Sequence, residues 1–181
     1  PARRDNWGDW HFATGLRKAL ERLGCQVRID CLADWSSGVT AGDDVNLVLR
    51  GLSRYRPVPG TVNLMWLISH PDAVDDDEIA GFDHVFVASE PYADKLAARH
   101  GGRVSALLQC TDPEIFHPAL APVADLPEAL FVGNSRGVER PMLRDALAAG
   151  IDCAVIGEGW DALLPAGRLL APHIPNRELF R

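Results

Sequence analysis

Short apolar runs alternate with segments of helical periodicity along most of the 181 residues, and this alternation constrains the fold more than any other feature. It predicts an α/β fold with parallel strands, because a strand followed by a helix returns to its sheet beside and parallel to the first strand. Strands are predicted over 25–31, 44–50, 61–69, 84–88, 103–109, 129–132 and 151–156, and helices over 9–23, 89–100 and 138–149.

A proline-rich stretch divides the alternation into two parts. Residues 111–127 contain four prolines and show no periodicity, which is typical of a linker. We therefore expect an N-terminal domain over 1–112, a linker over 113–127 and the beginning of a second domain over 128–181. Because the first predicted helix has no strand before it, we also expect a strand upstream of Pro1.

Composition and charge restrict the class of protein. Apolar residues make up 47% of the chain and charged residues 24%, the balance of a globular protein with a buried core. The formal net charge of -7 argues against a general nucleic-acid binder, which presents a basic face. No apolar run approaches the roughly 18 residues of a membrane span, and the four cysteines form no CxxC pair. We expect a cytoplasmic protein with neither a transmembrane segment nor a disulfide framework.

Two segments of the predicted N-terminal domain carry candidate site residues. Gly8 and Asp9 lie in the segment Asn6–His11, where the first predicted helix begins, and free N–H groups at a helix N-terminus favour an anion or a polar ligand. The alternative is that Asp9 caps the helix while the neighbouring tryptophans pack. His70 follows the most buried predicted strand, at the edge where open parallel sheets bind ligands. It is a candidate for acid–base catalysis or hydrogen bonding, and the alternative is a structural histidine.

The second predicted domain contains a strand, a glycine turn and a helix with cations at the turn. Gly133 ends the strand, and Arg136 and Arg140 follow it. This arrangement is typical of phosphate binding, since a helix N-terminus supplies N–H groups and an arginine supplies a bidentate charge. Neither GxxxxGK[ST] nor GxGxxG is present. Gly157, in the turn that ends at Trp160, lies at the same predicted edge, and either a closely bound ligand or an ordinary tight turn explains its glycine.

The acidic run Asp75–Glu78 contains a DxD pattern, which in other proteins holds a metal ion on a diphosphate. It also lies where the acidic first turn of a helix is expected, and we favour that interpretation because the helix dipole stabilises negative charge there. The six histidines show no metal-ligand spacing such as HxxxH. We therefore predict no metal site and no cofactor.

Six segments, taken together and in order, resemble a known family. They are Trp7–Ala13, Trp66–Asp72, Val85–Ser89, Thr111–Pro118, Leu130–Gly133 and Gly157–Trp160. The series resembles the glycosyltransferases of the GT-B fold, in particular the CgeB-like spore-maturation group of the family-4-type enzymes. The resemblance implies two facing Rossmann-like domains, of which the N-terminal one handles the acceptor and the C-terminal one the nucleotide-sugar donor.

The resemblance also implies roles for individual residues. It makes His70 the catalytic residue that lines the cleft. The implied donor- and phosphate-binding residues are Gly8, Asp9, Gly133, Arg136, Arg140 and Gly157. The implied partners are a nucleotide-sugar donor and a glycan, lipid or small-molecule acceptor, with no nucleic acid, no metal and no cofactor. The acidic residues that hold the donor ribose and sugar are expected after Arg181.

Two other functions stay open on the sequence. The first is a non-catalytic domain of the same type that binds a nucleotide or a glycan, or that serves as an interaction partner. The second is another Rossmann-like enzyme, such as a nucleotide-sugar epimerase. That enzyme requires a dinucleotide fingerprint with an acidic residue about 20 residues further on, and the sequence supplies none.

Overall fold

The computed structural model describes residues 8–35, 42–117, 127–175 and 178–179. The chain divides into two compact units, Pro1–Asp112 and Pro113–Arg181. Most of the predicted linker over 113–127 lies outside the described residues. Each unit is an α/β structure built on a parallel sheet, as the alternation predicts.

The N-terminal unit contains a four-stranded parallel sheet in the order β1-β2-β3-β4. Its elements are α1 (Gly8–Arg22), β1 (Val45–Arg50), β2 (Val62–Leu67), α2 (Asp76–Ala80), β3 (His84–Val87), α3 (Glu90–His100) and β4 (Val104–Ala106). The helix predicted over 9–23 and the helix predicted over 89–100 are confirmed as α1 and α3. Gly24, with φ of 87°, follows α1, where a positive φ is accessible to glycine at no steric cost.

The core of this unit lies on the central strands. Its buried residues are Val48, Tyr55, Met65, Leu67, Ile79, Phe82, Val85, Val87, Ala93, Leu96 and Val104. Met65 and Val85 are fully buried neighbours on β2 and β3. α1 contacts the sheet through Phe12, whose ring lies 5.1 Å from that of Trp66 in an edge-to-face arrangement. The strands predicted to be most buried therefore form the centre of the sheet.

The prediction of a strand over 25–31 is wrong. These residues form no strand, and β1 is an edge of the described sheet. Arg28 instead forms exposed ion pairs with Asp30 and Asp43, at 2.9 and 2.7 Å. The alternation of apolar and polar residues was not sufficient for a strand here, because a strand also needs a neighbouring strand with which to pair. The strand predicted over 103–109 is also shorter, since β4 ends at Ala106.

The C-terminal unit contains a three-stranded parallel sheet in the order β5-β6-β7. Its elements are β5 (Ala129–Val132), α4 (Pro141–Ala148), β6 (Cys153–Ile156) and β7 (Leu169–Ala171). Its core consists of Leu143, Cys153, Val155 and Trp160, with Phe131 packed against them. β7 was not predicted, because three residues are too few to establish a periodicity.

None of the described helices can serve as a membrane span. α1, with 15 residues, is the longest of them. That length is below the ~20 apolar residues that cross a bilayer.

Candidate functional site

The carboxyl ends of β1 and β2 lie side by side, and the predicted residue His70 follows β2 at this edge. His70 has a left-handed backbone, with φ of 51° and ψ of 52°, and a short 3-10 turn over Pro71–Ala73 follows it. Its ring nitrogen Nδ1 lies 2.9 Å from the Ser69 hydroxyl oxygen. The ring is half-buried. This hydrogen bond orients the imidazole and leaves Nε2 as the second ring nitrogen for a ligand.

Asp9 reaches the same edge from the first turn of α1. A methyl group placed on Gly51, directly after β1, would lie 3.3 Å from an Asp9 carboxylate oxygen and 3.8 Å from the Ser69 hydroxyl. The missing side chain of Gly51 therefore makes room for both groups. Gly8 is the first residue of α1, and Asp9 lies inside the first helical turn. The structure thus brings the Asp9 carboxylate and the Ser69 hydroxyl to the same glycine, directly after β1.

A buried ion pair lies beneath this edge, and the sequence did not identify it. Arg50, the last residue of β1, and Glu78, in α2, each expose only 2% of their side chains. The guanidinium donates from Nε to one carboxylate oxygen at 2.8 Å and from Nη2 to the other at 3.1 Å. The available signal was a charged residue at the end of a largely apolar strand.

The acidic run Asp75–Glu78 forms the N-terminus of α2, as predicted. Asp75 is the N-cap and accepts a hydrogen bond from the Glu78 backbone at 2.6 Å, which lowers the pKa of the Asp75 carboxyl. Arg54 lies 2.8 Å from the same carboxylate and favours its charged form further. In the part of the chain that the structure describes, no group of three or more His, Cys, Asp or Glu side chains could hold a metal ion.

In the C-terminal unit, the turns that follow β5 and β6 pack directly on each other. A methyl group on Gly157 would overlap the backbone of Gly133, only 2.6 Å from its carbonyl carbon. Trp160 donates a hydrogen bond from Nε1 to the Gly133 carbonyl at 2.8 Å. The close approach at Gly157 is therefore made by the chain's own backbone, which supports the tight-turn explanation of this glycine.

Ser135 joins the two turns through hydrogen bonds, a role that the sequence analysis did not predict. It is fully buried. Its hydroxyl donates to the Gly159 carbonyl and accepts from the Gly137 backbone N–H at 3.1 Å. Its own N–H donates to the Glu158 carbonyl at 3.0 Å. A buried hydroxyl with both donor and acceptor satisfied rigidifies the segment that carries the predicted phosphate-binding residues.

Gly133 and Gly157 lie at the ends of strands and not at a helix N-terminus. The Gly133 N–H donates to Ile156 at 2.8 Å, and the Gly157 N–H donates to Ala171 at 2.9 Å, so both belong to the sheet edge. α4 begins only at Pro141, later than the predicted start at Val138. Proline favours the first helical position because it needs no N–H partner there and its φ is already helical.

Both candidate cations lie in the turn between β5 and α4. Arg136 is exposed and has a left-handed backbone with φ of 57°. Arg140 directly precedes α4 and donates from Nη2 to the Asn134 carbonyl at 3.2 Å. Its Nε is buried and has no hydrogen-bond partner among the described residues. Arg140 also lines a cavity of about 200 Å³ beside α4, together with Leu143 and Trp160.

The described residues include two non-glycine residues with positive φ, and both were predicted as site residues. They are His70 and Arg136. A left-handed backbone costs an ordinary residue about 1–2 kcal/mol, because Cβ approaches the following carbonyl oxygen. Such strain persists where the surrounding structure imposes it, and it is concentrated at functional sites.

We expect Arg136→Gly to raise the free energy of unfolding of its unit by about 0.5–1 kcal/mol, since glycine removes the left-handed penalty at a smaller cost in chain entropy. The matched control is Arg144→Gly inside α4, which is expected to lower it by about 1 kcal/mol. Urea unfolding measures both changes. Destabilisation by Arg136→Gly would mean that the Arg136 side chain is part of the fold.

Comparisons of the chain with protein-family models, curated proteins and solved structures found no match.

Proposed function

We propose that the chain belongs to a GT-B-type glycosyltransferase that moves a sugar from a nucleotide-sugar donor to an acceptor hydroxyl. One observation carries the proposal: the two non-glycine residues with positive φ in the described chain are a histidine, His70, and an arginine, Arg136. Their side chains are suited to proton transfer and to phosphate binding, respectively. Each lies in a segment that follows a strand of a parallel sheet. This is the edge at which α/β sheets bind their ligands.

The proposed role of the turn after β5 is to stabilise the leaving diphosphate. Negative charge grows on that group as the bond to the sugar breaks, and fixed cations aimed at it lower the barrier. Arg136 and Arg140 supply two guanidinium groups within one turn. The backbone of the turn is held by the hydrogen bonds of the buried Ser135 hydroxyl, which fixes the positions from which the two side chains extend. The N-terminus of α4 adds partial positive charge.

The proposed role of His70 is to accept the proton of the acceptor hydroxyl. When Nδ1 donates to the Ser69 hydroxyl, Nε2 is left unprotonated and can act as a base. Asp9, at the same edge, is suited to hydrogen-bond a hydroxyl of the acceptor.

We expect Arg136→Ala and Arg140→Ala, each made in the complete protein, to lower donor turnover by about tenfold or more. Each substitution removes one cation from the turn between β5 and α4. A tenfold loss of turnover corresponds to about 1.36 kcal/mol of transition-state stabilisation. The measurement is release of nucleoside diphosphate from a panel of nucleotide sugars. The control is Arg144→Ala, because Arg144 is 53% exposed and paired with Asp145 at 2.8 Å, so turnover is expected to stay unchanged. Normal turnover in both single variants and in the double variant would exclude the phosphate role.

A second candidate function is a non-catalytic domain that binds a nucleotide or a glycan. It is favoured by one observation: the N–H groups of Gly133 and Gly157 are used inside the sheet, which leaves fewer donors to stabilise the negative charge that grows on a leaving diphosphate. Thermal unfolding with nucleoside diphosphates and their sugars separates the two candidates. Ligand at a hundred times Kd raises the free energy of unfolding by about 2.7 kcal/mol. A shift without turnover supports the binding domain, and a shift with turnover supports the transferase.

A further inference from the structure

The ion pair between Arg50 and Glu78 is the most deeply buried charge pair among the described residues, and its hydrogen bonds lead to the segment of His70. Each side chain is 2% exposed, and both carboxylate oxygens accept from the guanidinium. Nothing in the proposed chemistry uses these charges directly. Their contacts therefore indicate a different role.

The remaining guanidinium contacts are made to the two segments beside the site. Nη2 donates to the Ala73 carbonyl at 2.9 Å, and Nη1 donates to the Gly51 carbonyl. The Ala73 N–H in turn donates to the His70 carbonyl at 3.0 Å, which closes the turn after His70. Gly51 is the residue whose missing side chain makes room for Ser69 and Asp9. The Arg50 side chain thus ties the backbone after β1 to the turn that follows His70.

We propose that Arg50 and Glu78 are positioning residues that hold His70 in its left-handed conformation, with Nδ1 on the Ser69 hydroxyl. Desolvation offsets most of the attraction within a buried ion pair, so such a pair adds little stability over apolar residues of the same size. The planar guanidinium fork accepts only one arrangement of its partners, and it therefore specifies geometry. Its effect on turnover rests on the proposed function, whereas its effect on His70 does not.

The test is the double variant Arg50→Met/Glu78→Leu in the full chain, because it replaces both charges with apolar groups of similar length. ¹⁵N chemical shifts of the His70 ring, recorded at about pH 8.5, report which ring nitrogen carries the proton. His70→Gln identifies the His70 signals. The control is Arg54→Met, since Arg54 bonds Asp75 across the same two segments at the surface.

We expect wild type and Arg54→Met to show one His70 tautomer. We expect the double variant to unfold cooperatively near the wild-type Tm but to show averaged His70 nitrogen shifts. Arg50→Lys is the second variant, because it keeps the charge and loses the fork. It is expected to give averaged shifts as well, so the test stands even where the double variant does not fold. Wild-type His70 shifts in a folded double variant or in Arg50→Lys would overturn the positioning role, as would mixed tautomers in wild type.

Measurement of turnover tests the proposed transferase activity separately from the effect of Arg50 and Glu78 on His70. In an active transferase the double variant is expected to lower kcat by at least tenfold and leave the donor KM unchanged. The donor KM is unaffected because Arg136 and Arg140, the proposed phosphate-binding residues, lie in the C-terminal unit. Full kcat in a variant with averaged His70 shifts would overturn the link between positioning and catalysis. Absence of turnover in wild type would contradict the transferase, while the nitrogen shifts would still decide whether Arg50 and Glu78 position His70.

Discussion

Arg50→Met alone, or Glu78→Leu alone, is expected to lower the free energy of unfolding of the N-terminal unit by about 3–5 kcal/mol. Each leaves the partner charge buried and uncompensated at 2% exposure. Because a domain is stable by only about 5–15 kcal/mol, a loss of this size leaves the unit close to unfolding. The double variant is expected to recover most of the loss. Hydrogen exchange of the β2 and β3 amides measures the change within this unit.

The control for this prediction is the exposed pair between Arg54 and Asp75. Arg54→Met is expected to leave the unfolding free energy unchanged, since exposed ion pairs are solvated in both states. Amides of β5 and β6 are expected to exchange as in wild type in every one of these variants, because the substitutions lie in the other unit. A single variant as stable as wild type would show that the remaining charge reaches water, contrary to its burial.

Gly157→Ala is expected to lower the free energy of unfolding of the C-terminal unit by about 3 kcal/mol. The added methyl group would overlap the Gly133 backbone, which cannot move without breaking the hydrogen bond from its N–H to Ile156. The expected result is faster exchange of the β5 and β6 amides, with β2 and β3 unaffected.

Gly150→Ala is the matched control for the packed turns. Gly150 also has a positive φ, of 78°, but a methyl group there meets no atom within 4 Å. The expected cost is about 1 kcal/mol, from the left-handed backbone alone. Equal effects of Gly157→Ala and Gly150→Ala would contradict the direct packing of the two turns.

The elements that sequence reasoning identified correctly are those whose apolar residues form a run or recur at a regular spacing along the chain. β5 is confirmed over 129–132, and β2 and β3 lie within the runs predicted to be buried. α1 could be predicted because its apolar residues recur at helical spacing. The strand predicted over 25–31 failed because strand formation also depends on a partner edge. β7 was missed because its signal extends over three residues.

The order of strands and helices, and the segments after β2 and β5 that carry His70 and Arg136, follow from patterns within a few residues, since burial and backbone preference are local properties. Pairing between distant residues has no such local signal. Arg50 meets Glu78 across 28 residues, and Gly157 meets Gly133 across 24. These long-range contacts determine which charge is buried, which N–H groups are occupied and how His70 is held. They depend on how the elements pack in three dimensions, because packing brings groups together that are far apart in the chain.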